Sequence, residues 1–149
     1  MSFKSDVVVV GGCGHVGLPL AIVLASKSLQ VCAFDLNDAA VASVNSGKMP
    51  FDEPGASELL KQVLISEKFL ASSDRKVISS AEHVIFVIGT PVDEHLNPDP
   101  EAVPNVVRGL LDVLVDGQHL VLRSTVYPGV TRLVERVISD SGKRVDVSF

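Results

Sequence analysis

Aromatic side chains are scarce, at 5% of the 149 residues, with no Trp and one Tyr. Few stacking platforms are on offer for the bases of a single strand. Basic charge is also in deficit, with 13 Lys and Arg against 18 Asp and Glu, a net charge of -5 and a pI near 5.2. Without a basic field to gather phosphate backbones, the balance argues against nucleic-acid binding as a primary role. Only two cysteines are present, Cys13 and Cys32, both in or beside apolar segments and without CxxC spacing or a nearby His cluster. They read as buried thiols in a reducing cytosol, so neither a disulfide nor a metal site is expected. Long apolar runs are missing too, because nothing reaches the roughly 18 uninterrupted residues of a membrane span. The first 26 residues imitate a secretory leader, with Lys4, VVVV and VGLPLAIVLA, but Asp6, His15 and the glycines at 11, 12, 14 and 17 break the pattern. No membrane association is expected.

What is present is aliphatic: 46% of residues are hydrophobic and the mean hydropathy is +0.35. A sheet buried on both faces has this composition. Asp6–Gly11 (DVVVVG) is a continuous β-branched run, too short for a helix, and reads as a central parallel strand. His15–Ser26 reads as a helix with Pro19 tolerated in its first turn. A second strand covers Leu29–Asp35, and Asn37 or Asp38 caps a helix running through Val44 to a stop at Gly47. After the Pro- and Gly-rich KMPFDEPG loop, a helical pattern covers Ala56–Ile65. His83–Gly89 (HVIFVIG) is taken as the fourth strand, followed by a proline-rich loop, a helix over Asn105–Val115, a fifth strand over His119–Thr125, a helix over Gly129–Ser139 and a last strand at VDVSF. No repeat, low-complexity tract or linker interrupts the chain, so residues 1–149 read as one domain. Strands alternating with crossover helices predict an α/β fold: a doubly wound, Rossmann-type parallel sheet in three α/β/α layers.

Ligands of such sheets sit beyond the carboxyl ends of the strands. There the first strand is followed by GCGHVG, Gly12–Gly17, which matches GxGxxG between a strand and a helix. Gly12 is expected to allow the tight turn, Gly14 the approach of backbone to a pyrophosphate, and Gly17 the packing of helix on sheet. The helix N-terminus adds N–H groups and partial positive charge. Asp35 ends the second strand, where a carboxylate accepts hydrogen bonds from ribose hydroxyls and repels a 2′-phosphate; NAD is favoured over NADP. Asp35 can equally cap the following helix, and the two roles are compatible. Thr90 in GTP and Ser124 and Thr125 in RSTVYPG put small hydroxyls at two further strand ends, on the rim where a nicotinamide would lie.

In their order, VVGGCGHVGLPLA, FD, PFDEPG, GTPVDEHLNPD and STVYPGVT resemble the N-terminal NAD-binding domain of the UDP-glucose/GDP-mannose dehydrogenase family over nearly the whole chain. The resemblance implies an enzyme that oxidises the primary alcohol of a nucleotide-diphosphate sugar to a carboxylate with two NAD, in cytoplasmic polysaccharide biosynthesis. GCGHVGLP looks most like members acting on UDP-glucose or UDP-N-acetylhexosamines. Carried over by position, Gly12, Gly14, Gly17 and Asp35 would hold the adenosine diphosphate half of NAD, and His15 and Val16 lie in the same loop. For His15 a half-exposed place at the helix entry is weighed against a phosphate contact. Thr90 would line the cleft beside Ser124, and Thr125 would face the nicotinamide and the reacting carbon as the catalytic hydroxyl. Glu53, in the EPG loop, belongs to the neighbourhood of the site, and Arg123 receives no role.

The family's second oxidation passes through a thiohemiacetal on a cysteine, with Lys, Asn and Asp nearby, all beyond the NAD domain. Cys13 in the phosphate loop and Cys32 inside a strand cannot substitute for it. The expectation is therefore a cofactor domain of a larger, homo-oligomeric enzyme, able to bind NAD without full turnover. Two rivals share the first motif: the NAD-sensing domains of potassium transport systems, and NAD-dependent hydroxyacid dehydrogenases of the 3-hydroxyisobutyrate type. Neither has an evident need for both EPG and STVYPG.

Overall fold

The computed structural model describes residues 2–89, 92, 94–97 and 99–149. Its sheet has six strands in the order β3-β2-β1-β4-β5-β6, and every adjacent pair is parallel. They are β1 (Ser5–Val10), β2 (Val31–Phe34), β3 (Phe69–Ser72), β4 (Ala81–Phe86), β5 (His119–Leu122) and β6 (Asp146–Ser148). The helices are α1 (Gly17–Ser26), α2 (Asp38–Asn45), α3 (Ala56–Ile65), α4 (Ala102–Leu110) and α5 (Val130–Asp140). The Rossmann-type doubly wound fold expected from the alternation is the one observed.

Burial explains the unbroken apolar strands. In β1, Val7 and Val9 pack with α1, α2 and α3, while Val8 and Val10 pack with α4 and α5 on the other face. All four are at most 5% exposed. A strand covered on both faces has no position left for polar alternation. The order of winding reverses between the parallel neighbours β1 and β4, so their carboxyl ends flank the crevice in which doubly wound sheets place their ligands.

Three expectations are corrected. No segment had been assigned to the third strand, which is Phe69–Ser72. It escapes notice because it is a four-residue edge strand with alternating burial, and Leu70 is exposed. Asn45 blunts that edge: its side-chain amide donates to the Ala71 carbonyl at 2.8 Å and its oxygen accepts the Ala71 N–H at 2.9 Å. The helix expected over Asn105–Val115 instead runs Ala102–Leu110. Pro104 falls in its first turn, where its missing N–H costs nothing. The helix stops where the Gly109 carbonyl accepts a hydrogen bond from Arg75. Finally, the first helix begins at Gly17 rather than His15, because residues 11–16 form the turn out of β1.

Candidate functional site

Each glycine of the first loop meets a different constraint. Gly11 has φ +81°, and both its N–H and that of Gly12 donate to the Phe34 carbonyl at 3.0 Å. The tight turn assigned to Gly12 thus falls on Gly11, whose left-handed backbone suits glycine. Gly12 is needed for a different reason: a Cβ there would lie 2.7 Å from Ala33 Cα on β2. At Gly17 a Cβ would sit 2.2 Å from the Gly11 carbonyl oxygen. Around Gly14 the space is open, the nearest atom being the same oxygen at 3.5 Å. Three of these glycines are therefore demanded by the protein's own backbone and packing, and the fourth, Gly14, faces space that a ligand can enter. Val16 caps α1 without a side-chain hydrogen bond; in the first turn Leu18 N–H donates to the Gly14 carbonyl at 3.0 Å and Pro19 has none, which leaves the Gly17 N–H without a backbone partner among the described residues.

Asp35 follows β2 directly. Its Oδ2 accepts the Cys13 N–H at 3.1 Å and its Oδ1 accepts the Asn37 N–H at 3.0 Å. The helix cap proper is Asn37, whose side chain accepts from Ala40 N–H, so Asp35 joins the glycine loop to the end of β2 instead. A cavity of about 570 Å³ opens beside it, bordered by Gly11 and Gly14, by Phe34 and Leu36, and by Val87, Ile88 and Gly89 after β4. Val106, Gly109 and Leu110 of α4 close its far wall together with Ser73 and Arg75. Arg75 was not visible as a site residue in the sequence. It reaches this wall because Asp112 and the Gly109 carbonyl hold its guanidinium. An apolar cleft with one half-buried carboxylate at its mouth suits a flat heterocycle joined to a hydroxylated sugar.

None of the other expected side chains among the described residues borders this cleft. His15 is exposed rather than half-exposed, and stacks on Phe51 of the PFDEPG loop, ring centroids 4.2 Å apart and planes 19° apart. Val16 is 59% exposed. Glu53 and Arg123 are both exposed, and among the described residues neither side chain has a hydrogen-bond or ion-pair partner. Ser124 is buried, and its hydroxyl is engaged within the protein: it accepts the Ile88 N–H at 3.0 Å and donates to the Phe86 carbonyl at 3.3 Å. It fastens the end of β5 to the end of β4, so a share in direct ligand contact does not follow from its position. Thr125, the next residue, is exposed. Thr90 lies outside the described residues.

Burial, and then the Asp35 charge, push the Cys13 thiol up to about 12. Cys32 is also pushed up to about 12, again chiefly by burial. Both stay protonated at neutral pH, which denies them thiolate chemistry. Among the described residues no group of three or more His, Cys, Asp or Glu could hold a metal, and no helix is long and apolar enough to cross a membrane.

A family profile described as the NAD binding domain of the UDP-glucose/GDP-mannose dehydrogenase family matches residues 6–149. The chain belongs to that family. Similar members include the UDP-N-acetyl-D-mannosamine dehydrogenase of Pyrococcus horikoshii, 28% identical over 95% of this chain and 34% of its own length. The GDP-mannose 6-dehydrogenase of Pseudomonas syringae pv. tomato is 32% identical over 93% of this chain and 33% of its own length. Among solved structures, the GDP-mannose dehydrogenase of Pseudomonas aeruginosa superposes with a TM-score of 0.87 at 26% identity, over 95% of this chain and 35% of that one. The chain thus spans about a third of the length of these UDP-glucose/GDP-mannose dehydrogenase relatives. Family membership sets aside the potassium-transport and hydroxyacid-dehydrogenase readings, and the family domain is an NAD-binding one.

Proposed function

We propose that residues 1–149 form one cofactor domain that holds NAD across the carboxyl ends of β1, β2 and β4, and that it serves a dehydrogenase oxidising the primary alcohol of a nucleotide-diphosphate sugar. The observation that carries the reading is the open side of Gly14, set between the α1 N-terminus and the cavity beside Asp35. The residues fit the cofactor: Gly14 and the α1 N-terminus would take the pyrophosphate, Asp35 the adenosine ribose, and the apolar wall of α4 the adenine. Bound there, NAD would supply a hydride acceptor.

The chain's own groups prepare that site. Asp35 ties the glycine loop to β2 through Cys13, which keeps the loop in one shape before any ligand arrives. Ser124 holds the ends of β4 and β5 together, and exposed Thr125 follows it directly in the chain. Thr125 is the proposed catalytic hydroxyl on that positional ground. Substrate choice stays at the nucleotide-sugar level, since relatives named for UDP-N-acetyl-D-mannosamine and for GDP-mannose resemble the chain about equally. A cytoplasmic location and a homo-oligomeric enzyme are part of the proposal.

Calorimetry tests the reading. NAD should bind more tightly than NADP, because Asp35 repels a 2′-phosphate. Equal affinities would remove that role from Asp35, and no heat from either dinucleotide would sink the proposal.

A further inference from the structure

At the opposite, amino ends of β4 and β5 two histidines meet. His83 and His119 are register partners on adjacent strands and therefore project from the same face of the sheet. Their Nδ1 atoms are 3.3 Å apart, with ring planes crossing at 79°. The outer nitrogens have partners of their own. His119 Nε2 is 2.7 Å from the Ser148 hydroxyl on β6, and His83 Nε2 lies 3.9 Å from a carboxylate oxygen of Glu82. With the protons on both Nε2 atoms, the two Nδ1 lone pairs would face one gap, where a single cation can take both.

Two imidazole nitrogens bound at about 2.0–2.1 Å to one tetrahedral zinc lie about 3.3–3.4 Å apart. The Nδ1 atoms, 3.3 Å apart, meet that spacing as they stand, and the same distance also admits a long hydrogen bond between the rings. We propose that His83 and His119 form a two-imidazole site for a divalent cation of the zinc class, with Ser148 orienting the His119 ring from behind. Outer partners of this kind commonly set which nitrogen of a ligating His is free. Solvent reaches the pair, the His83 side chain being 41% exposed. No third His, Cys, Asp or Glu joins the pair among the described residues. Water would fill the remaining positions, which makes this an exchangeable site and not a four-ligand structural one. Imidazole nitrogen suits zinc, nickel and copper, and not magnesium or calcium.

The test uses the untagged 149-residue chain, with zinc chloride as the probe and magnesium chloride as the control. Zinc should bind one to one by calorimetry and raise Tm with the logarithm of its free concentration, as a ligand of the native state does. Magnesium should do neither. His83→Gln and His119→Gln should each weaken the zinc heat at least tenfold, and the double variant should abolish it. Should a variant fail to fold, imidazole nitrogen NMR of the unaltered protein decides: zinc should shift the Nδ1 resonances of both rings together. No zinc heat, an undiminished heat in the double variant, or Nδ1 resonances that zinc leaves in place would each overturn the proposal, the last pointing to a shared proton only.

Discussion

The two halves of the sheet are closed to different degrees. In the first half β1 and β2 are sealed on both faces, so Val7 to Val10 and Val31 to Phe34 are all buried. In the second half β4 and β5 are sealed on the α4–α5 face alone: Val84, Phe86, Leu120 and Leu122 are at most 1% exposed. On the other face His83, Ile85, His119 and Val121 are only half-buried. The difference shows where polar side chains can be tolerated within this sheet. Histidines stand on β4 and β5 because that face leaves them room and water, whereas β2 carries nothing more polar than a thiol.

Several substitutions would break or sharpen this contrast. The largest effect belongs to the sealed face: Phe86→Ala should cost about 3–5 kcal/mol in urea unfolding. Ile85→Ala, one residue away on the open face, should cost about 1–2 kcal/mol, since less apolar surface leaves water there. Equal costs would mean that the open face is covered in solution. Next come the loop glycines. Gly17→Ala forces a Cβ against the Gly11 carbonyl and should destabilise by about 1–3 kcal/mol while removing NAD binding. Gly14→Ala should leave stability within about 0.5 kcal/mol, the range of substitutions that clash with nothing, yet weaken NAD at least tenfold in calorimetry.

The buried thiols offer a smaller effect with a definite sign. Their folded values near 12 lie above the ordinary 9.0. Their stabilising contribution is complete below about pH 9 and is lost as pH rises from there toward 12, because the unfolded chain gives up those protons first. Urea midpoints should accordingly fall across that window and flatten in a Cys13→Ser/Cys32→Ala variant. At pH 8, thiol reagents should label neither cysteine until denaturant is added.

The smallest effect is expected on the outer rim. Arg144 holds the Asp116 carboxyl below its usual range through a backbone and a side-chain hydrogen bond. A depressed carboxylate lends stability above its unfolded pKa and loses it as pH falls through the folded one, so any gain disappears in the acid range below about 4. The pair is exposed, and Arg144→Ala should shift thermal unfolding at neutral pH barely above measurement error.

Much of the candidate site was legible in the residues themselves. GCGHVG follows a strand and opens a helix, and Asp35 sits at the next strand end, because phosphate and ribose recognition place glycines and a carboxylate at set distances along one βαβ unit. What escaped depends on separate segments meeting. Arg75 enters the cleft only through Asp112 and Gly109, more than thirty positions away. Ser124 looked like a rim hydroxyl, and only contact with Phe86 and Ile88 shows that it is a fastener. The His83–His119 pair is likewise 36 residues apart in the chain and adjacent only across the ladder.

By itself, then, the sequence determined the fold class, the family and the side of the sheet where the candidate site lies. Those follow from local patterns: unbroken aliphatic runs mean two-sided burial, and glycines at fixed spacing mean a phosphate loop. Tertiary structure alone decided which glycine bends the chain and which faces open space, which hydroxyl is free, and which half of the sheet keeps an uncovered face. Each of those depends on the distance between groups remote in sequence, and backbone packing, not local propensity, sets that distance.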